Sequence, residues 1–144
     1  MSITTIPLPE PPKDLHVLSD KERKIGDGPV FVLAEIQNFL KEAGHECLEL
    51  NVTVAQRMRN EMGWTVKDLC NFIMQLERRH FLCSEWCYAS GGSNIAHAAD
   101  VYKMGFNRVH NVEWQHMDPK QYVKFSFASR DGVLMIFSAH NDDY

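Results

Sequence analysis

Polar and apolar positions alternate most regularly over residues 122–127, where every second side chain is apolar. This period predicts a strand with one buried and one exposed face. An Asp131-Gly132 pair, which hairpin turns favour, follows closely, and the apolar run 133–137 predicts an inner strand covered on both faces. The chain should therefore contain a C-terminal β-hairpin. Its polar side chains of chemical interest are Tyr122, Lys124 and His140.

Helical periodicity comes earlier in the chain, where apolar residues recur every three or four positions. A first helix is expected to follow Pro29. A second should span Val54–Met62 after an N-cap at Thr53, and a third should run from a cap at Thr65 to a cationic last turn at His80. These predicted helices precede most of the predicted strands.

Patterns typical of strands dominate the second half of the chain. Besides the hairpin, they cover residues 81–88, 95–102 and 108–115, which brings the expected total to about five strands. Helices followed by a run of strands predict an α+β domain. In this fold the N-terminal helices pack on a twisted, mainly antiparallel sheet of about five strands.

Composition favours a single domain. A chain of 144 residues with 44% hydrophobic content can bury one proper core. Residues 1–28 hold four of the six prolines and predict an extended tail, either mobile or lying as a strap, whereas residues 29–144 should form the α+β domain. No apolar run has the length of a membrane span, and the N-terminus lacks the pattern of a signal peptide. We therefore expect a cytoplasmic protein without membrane contact.

The charge balance bears on nucleic-acid binding. A net charge of −4 argues mildly against a large phosphate-binding surface, which usually shows as an excess of basic residues. Seven histidines soften this objection, because some can be protonated near an acidic substrate. The helices over residues 54–62 and 66–80 have the outline of a helix-turn-helix, but the second is mainly apolar. Core packing is the better explanation for this pair.

Four zinc-competent side chains are close in the sequence: His80, Cys83, Cys87 and His97. On a strand, the two cysteines would be separated by roughly 13 Å. We therefore expect reduced, structural cysteines and neither a metal nor another cofactor. Zinc binding would require residues 81–87 to form a turn.

Side chains suited to phosphodiester chemistry occur on the predicted hairpin. Cleavage of RNA needs a base for the 2′-hydroxyl, an acid for the leaving oxygen and a cation for the charge that develops on the phosphate. Tyrosine, lysine, histidine and arginine on one sheet face can fill these roles, although such residues more often form a solvated face. The candidate catalytic residues are Tyr122, Lys124, His140 and His97, and the candidate substrate-binding residues are Arg130 and Lys103.

Several short blocks occur in a fixed order between Phe31 and His140. They are FVLAEIQNFL, MGW, VKDLCNFIMQL, HFLCS, ADVY, QYVKF and VLMIFSAH. In order and spacing they resemble segments of the MqsR family of bacterial toxin–antitoxin ribonucleases. The resemblance implies a compact RelE-like α+β fold, cleavage of mRNA without a metal, and an antitoxin protein as a partner.

The functional positions of that family are kept only in part. Tyr122 and Lys124 match its tyrosine and the neighbouring lysine, and the lysine of its final strand falls on His140. Its catalytic lysine falls on Cys83, and its glutamine falls on Ala99. The resemblance therefore implies a divergent active site.

Two functions are compatible with these observations. The first is a metal-independent endoribonuclease toxin acting on RNA, in which Lys124 would stabilise the phosphate while Tyr122 and His140 act as acid and base. His97 would substitute for the lost groups. The second is a non-catalytic protein-binding module on the same fold, which the missing family residues and the negative net charge favour.

Overall fold

The polypeptide is built around a sheet of six strands and also forms a separate two-stranded hairpin. The computed structural model describes residues 3–88, 95–128 and 131–142. Within these ranges the strands are β1 Lys24–Ile25, β2 Leu48–Leu50, β3 Phe81–Tyr88, β4 Ala96–Met104, β5 Phe106–Asn107, β6 Val112–Glu113, β7 Gln121–Ala128 and β8 Val133–Asn141.

The order of strands in the main sheet is β1-β3-β4-β7-β8-β2. Neighbours pair antiparallel from β1 to β8, whereas β2 is parallel to β8. The prediction of an α+β fold with a mainly antiparallel sheet is therefore confirmed. The expectation of about five strands is too low, because the main sheet contains six.

The strand prediction differs from the structure in three places. β1 contains only two residues, too few for a period of two to be recognised. The strand expected over residues 108–115 is wrong, because Val112–Glu113 pairs with Phe106–Asn107 in the separate hairpin. The expectation that residues 133–137 are covered on both faces is also wrong, since buried and half-buried side chains alternate there.

Helices occupy mainly the first half of the chain. The capping box of Thr65 and Asp68 is confirmed at the start of the last helix. No helix in the described ranges has the length and apolar content needed to cross a membrane. The α-helices are α1 Asp20–Arg23, α2 Leu33–Ala43, α3 Val52–Met62 and α4 Val66–Gln75, with 3₁₀ turns at Leu15–Val17, His45–Cys47 and Arg78–His80.

Two helix boundaries differ from the prediction. The Asn51 side chain caps α3 by accepting a backbone hydrogen bond, so this helix begins before the expected cap at Thr53. α4 stops at Gln75 and does not reach His80. The side-chain amide of Gln37 donates hydrogen bonds to carbonyl groups at this helix end, which satisfies acceptors that a longer helix would have used.

The core lies between one face of the main sheet and helices α2 and α4. Apolar side chains of the helices and the sheet belong to one buried cluster, whose removal from water stabilises the fold. Its helical members include Ile36, Phe39, Leu40, Leu69, Phe72 and Ile73, and its strand members include Trp86, Tyr102, Val123, Phe125 and Leu134.

A buried carboxylate fixes the chain before α2 to the sheet. Asp100 of β4 is fully buried. Its Oδ1 accepts hydrogen bonds from Val30 N at 2.8 Å and Ser84 Oγ at 2.6 Å, and its Oδ2 accepts one from Phe31 N at 3.0 Å. Burial raises the pKa of Asp100, and these three donors oppose the rise.

The N-terminal segment, residues 3–28 of the predicted tail, lies against the domain as a strap. Thr5 forms a β-bridge with Phe31, and the side chain of Leu15 is buried. Leu15 N donates a hydrogen bond to the Tyr88 hydroxyl at 2.7 Å. Because β1 pairs with β3, this segment also supplies one strand of the main sheet.

Candidate active site

The candidate site lies on the face of the sheet opposite the core, hereafter the open face. Strand register places Lys103 of β4 beside Tyr122 of β7, and Tyr122 beside His140 of β8. Lys124 lies two residues further along β7, opposite Ser138. Directly paired residues point to the same side of a sheet, so these side chains share one face. The hairpin thus brings together the three polar residues that its sequence pattern singles out.

Tyr122 and His140 form a stacked pair. Their ring centroids are 4.8 Å apart and the ring planes differ by 18°. His140 Nδ1 lies 2.7 Å from the carbonyl oxygen of Asn141. A carbonyl oxygen can only accept a hydrogen bond, so Nδ1 carries the proton and Nε2 of the neutral ring is left as a proton acceptor. Burial raises the pKa of Tyr122, which keeps its phenol protonated and able to donate.

Lys124 belongs to a cluster of three charges on the same face. Its Nζ lies 2.7 Å from Glu85 Oε1, and Lys24 Nζ lies 2.8 Å from Glu85 Oε2. Burial alone would lower the pKa of Lys124, but the bond to Glu85, its charge and the neighbouring Tyr122 and Cys87 together outweigh burial and raise it. Burial would likewise raise the pKa of Glu85, but the two ammonium groups hold it below its usual range. All three groups therefore stay charged near neutral pH, with one positive charge in excess.

Lys24 and Glu85 are candidate site residues that the sequence does not reveal. Lys24 Nζ also lies 3.3 Å from Cys83 Sγ, so the strap places an ammonium group beside this thiol. Lys24 belongs to a two-residue strand inside the predicted tail. Its sequence signal is its place at the end of the charged run of residues 20–24, a pattern typical of a solvated segment.

Lys103 lies beside Tyr122, but its ammonium group is paired with another residue. Lys103 Nζ forms an ion pair with Asp142 at 2.9 Å. His97 lies near the opposite end of β4, roughly 20 Å from Lys103 by strand rise, with its ring 6.0 Å from that of Phe137. Burial lowers the pKa of His97, so it adds no positive charge at neutral pH. Arg130 lies outside the described residues.

Among the residues that the structure describes, one cluster resembles a metal site but does not fit one. Glu77, His80 and Glu113 have potential ligand atoms within 4.8 Å of one another. His80 Nδ1 accepts a hydrogen bond from Glu77 N, and Nε2 lies 2.8 Å from a Glu113 oxygen, to which it must donate. A metal on Nε2 would require the ring to lose its last N–H proton. The cluster is better explained as a satisfied structural contact.

The zinc alternative for the cysteine-histidine pattern also lacks its geometry. It requires residues 81–87 to form a turn, but they belong to β3. His80 is occupied by the contacts with Glu77 and Glu113. Cys87 Sγ lies 3.7 Å from the carbonyl oxygen of His97, so its nearest polar partner there is backbone.

The two cysteines of β3 should differ in reactivity. Burial raises the pKa of the Cys87 thiol to about 12, which lowers its thiolate fraction by about 10³ relative to an ordinary thiol. We expect iodoacetamide to label Cys83 before Cys87 at mildly alkaline pH, as followed by peptide mass spectrometry. Equal labelling rates in the folded protein would contradict the raised pKa of Cys87, and unfolding in urea should make the rates similar.

The site combines a proton acceptor, a proton donor and a fixed cation on one sheet face. These are the groups that phosphodiester transfer requires. No protein-family model, curated protein or solved structure matches this chain.

Proposed function

We propose that this protein is a metal-independent endoribonuclease of the mRNA-cleaving toxin type, a divergent relative of the MqsR family with a RelE-like fold. The observation that carries the proposal is the stacked pair of Tyr122 and His140 beside Lys124 on the open sheet face. In the neutral tautomer of His140 the acceptor is Nε2, while Tyr122 retains its proton and Lys124 remains cationic.

These groups can divide the steps of RNA cleavage among them. His140 Nε2 accepts the proton of a ribose 2′-hydroxyl, and the oxygen attacks the adjacent phosphorus. The bond from phosphorus to the 5′-oxygen breaks, and Tyr122 gives its proton to that oxygen. Lys124 compensates the negative charge that grows on the phosphate oxygens. The products are a 2′,3′-cyclic phosphate and a free 5′-hydroxyl end.

The order of elements supports the relationship to a toxin fold. After the strap, the chain runs through α2, β2, α3 and α4 and then enters the antiparallel strands β3, β4, β7 and β8. The sequence blocks that resemble the MqsR family fall on these elements in the same order. A protein of this type requires an antitoxin partner, and the open face that carries Tyr122 and Lys124 is the surface a partner would cover to block the site.

Induced expression in a bacterial host tests the proposal. We expect growth arrest and fragmented mRNA, both lost in Lys124→Ala, because removal of a cation at a reacting phosphate costs about 10²–10³ in rate. The matched control is Lys41→Ala, which removes the same charge from an exposed position on α2. Purified protein should cleave single-stranded RNA in the presence of EDTA. Intact RNA in both assays, with folded protein present, would contradict the proposal.

A non-catalytic binding module on the same fold is the second candidate. It is favoured by the pairing of Lys124 with Glu85 and of Lys103 with Asp142, which reduces the positive charge available to RNA. This function predicts normal growth on expression and a protein that co-purifies. A partner gene product that relieves growth arrest would instead support the toxin.

A further inference from the structure

The position of Lys24 is set by contacts that hold its backbone against the sheet. β1 pairs antiparallel with β3, with Lys24 opposite Glu85 and Ile25 opposite Ser84. The side chain of Ile25 is buried, so it anchors the strand in the core. Alternation then directs Lys24 to the open face. Its ammonium group is therefore held near Lys124 by folded structure, although it comes from a distant part of the chain.

Among the described residues, the ammonium groups of Lys24 and Lys124 have fewer hydrogen-bond partners than donors. Each ammonium has three N–H donors. Lys24 uses one on Glu85 and one on Cys83, and Lys124 uses one on Glu85. The side chain of Lys24 is 47% exposed, whereas that of Lys124 is 18% exposed. An anion approaching the open face would thus meet Lys24 first and find free donors on both lysines.

Glu85 has the geometry of a spacer between the two lysines. Each of its carboxylate oxygens accepts a hydrogen bond from a different ammonium group. It neutralises one of the two positive charges and leaves one over, in a protein whose net charge is −4. This excess positive charge lies on the same face as Tyr122 and His140.

We propose that Lys24 and Lys124, held apart by Glu85, form a binding site for the phosphates of a single-stranded RNA, with half of the site supplied by the N-terminal strap. This inference rests on the proposed ribonuclease function and extends its substrate contacts to Lys24. Lys124 contacts the reacting phosphate, and Lys24 contacts the RNA backbone beside it. Lys24 is a binding residue and takes no part in proton transfer.

Salt-dependent RNA binding tests the role of Lys24. The probe is a short single-stranded RNA with 2′-O-methyl riboses, which cannot be cleaved because the attacking hydroxyl is blocked. Lys24→Gln should weaken binding at low salt roughly tenfold and reduce the slope of log affinity against log salt by about 0.7, the value for one lost phosphate contact on a single strand. Lys24→Arg, which keeps the charge, should retain the slope.

Lys21→Gln is the matched control, because it removes the same charge from the same segment at an exposed position on α1. It should retain the affinity and slope of the unchanged protein. The melting temperature of each variant shows whether β1 still folds. A second readout is alkylation of Cys83, which lies against Lys24. The RNA should slow this labelling in the unchanged protein and leave labelling of Cys47 on the far edge of the fold unaffected.

The outcomes separate this inference from the ribonuclease proposal. If the protein cleaves RNA but Lys24→Gln behaves like Lys21→Gln, the role of Lys24 is overturned and the ribonuclease proposal stands. If the protein binds RNA through Lys24 without cleaving an unmodified strand, the phosphate site stands and catalysis is overturned. If the protein neither binds nor cleaves RNA, the phosphate site and the ribonuclease proposal are both overturned. Binding of an acidic peptide in place of RNA would likewise overturn the inference.

Discussion

His140→Gln should lower the rate of RNA cleavage by about 10²–10⁴, the usual contribution of a positioned general base. The neutral His140 ring has its proton on Nδ1, which faces the Asn141 carbonyl, so Nε2 is the acceptor that the variant loses. Glutamine preserves a polar side chain of similar length but cannot accept the hydroxyl proton as an imidazole does. Single-turnover cleavage of an end-labelled RNA measures the effect.

The matched control for this prediction is His45→Gln, at an exposed position after α2. It should cleave RNA at the unchanged rate. Both variants should bind the uncleavable RNA with similar affinity, because His140 is assigned a role in proton transfer and not in binding. A cleavage rate for His140→Gln within a few-fold of that of His45→Gln would remove His140 from the mechanism and leave Tyr122 without its proposed partner.

Asp100→Ala should lower the free energy of unfolding by about 3–5 kcal/mol. The substitution leaves the backbone N–H groups of Val30 and Phe31 and the hydroxyl of Ser84 without their acceptor. All three residues are buried, so water does not readily replace the lost bonds. Urea unfolding followed by circular dichroism measures the loss.

Asp100→Asn gives a graded version of the same experiment. The amide oxygen can still accept hydrogen bonds from Val30 N and Ser84 Oγ. The amide nitrogen would face Phe31 N, and no hydrogen bond can form there because both groups are donors. Its destabilisation should therefore fall between that of the unchanged protein and Asp100→Ala. Asp118→Ala, at an exposed position before β7, serves as the control. Equal stability of the Asp100→Ala and Asp118→Ala variants would show that the Asp100 carboxylate does not stabilise the attachment of Val30 and Phe31 to the sheet.

The parts of the fold that the sequence predicts are those specified by local signals. The capping box of Thr65 and Asp68 and the hairpin after residue 120 depend on residues close in the chain, and both are found. The strand expected over residues 108–115 is wrong for a physical reason. Its apolar residues Val109 and Trp114 are exposed, and alternation alone does not show that a face is covered.

The candidate site likewise combines residues placed by local signals with residues placed by long-range contacts. The placement of Tyr122, Lys124 and His140 on one face follows from hairpin register, which a sequence pattern can specify. Lys24 meets Glu85 only because a two-residue strand folds back onto β3, although the two residues are 61 positions apart in the chain. No local period carries that information, so the ion pair could not be predicted.

The wide spread of the site along the chain has a consequence during synthesis. The strap supplies Lys24, β3 supplies Glu85, and the last pair of strands supplies Lys124 and His140. A growing chain cannot assemble these groups until His140 has left the ribosome. Any product that stops short of β8 would therefore lack the stacked ring pair, and an interrupted round of translation would yield a protein without the complete site.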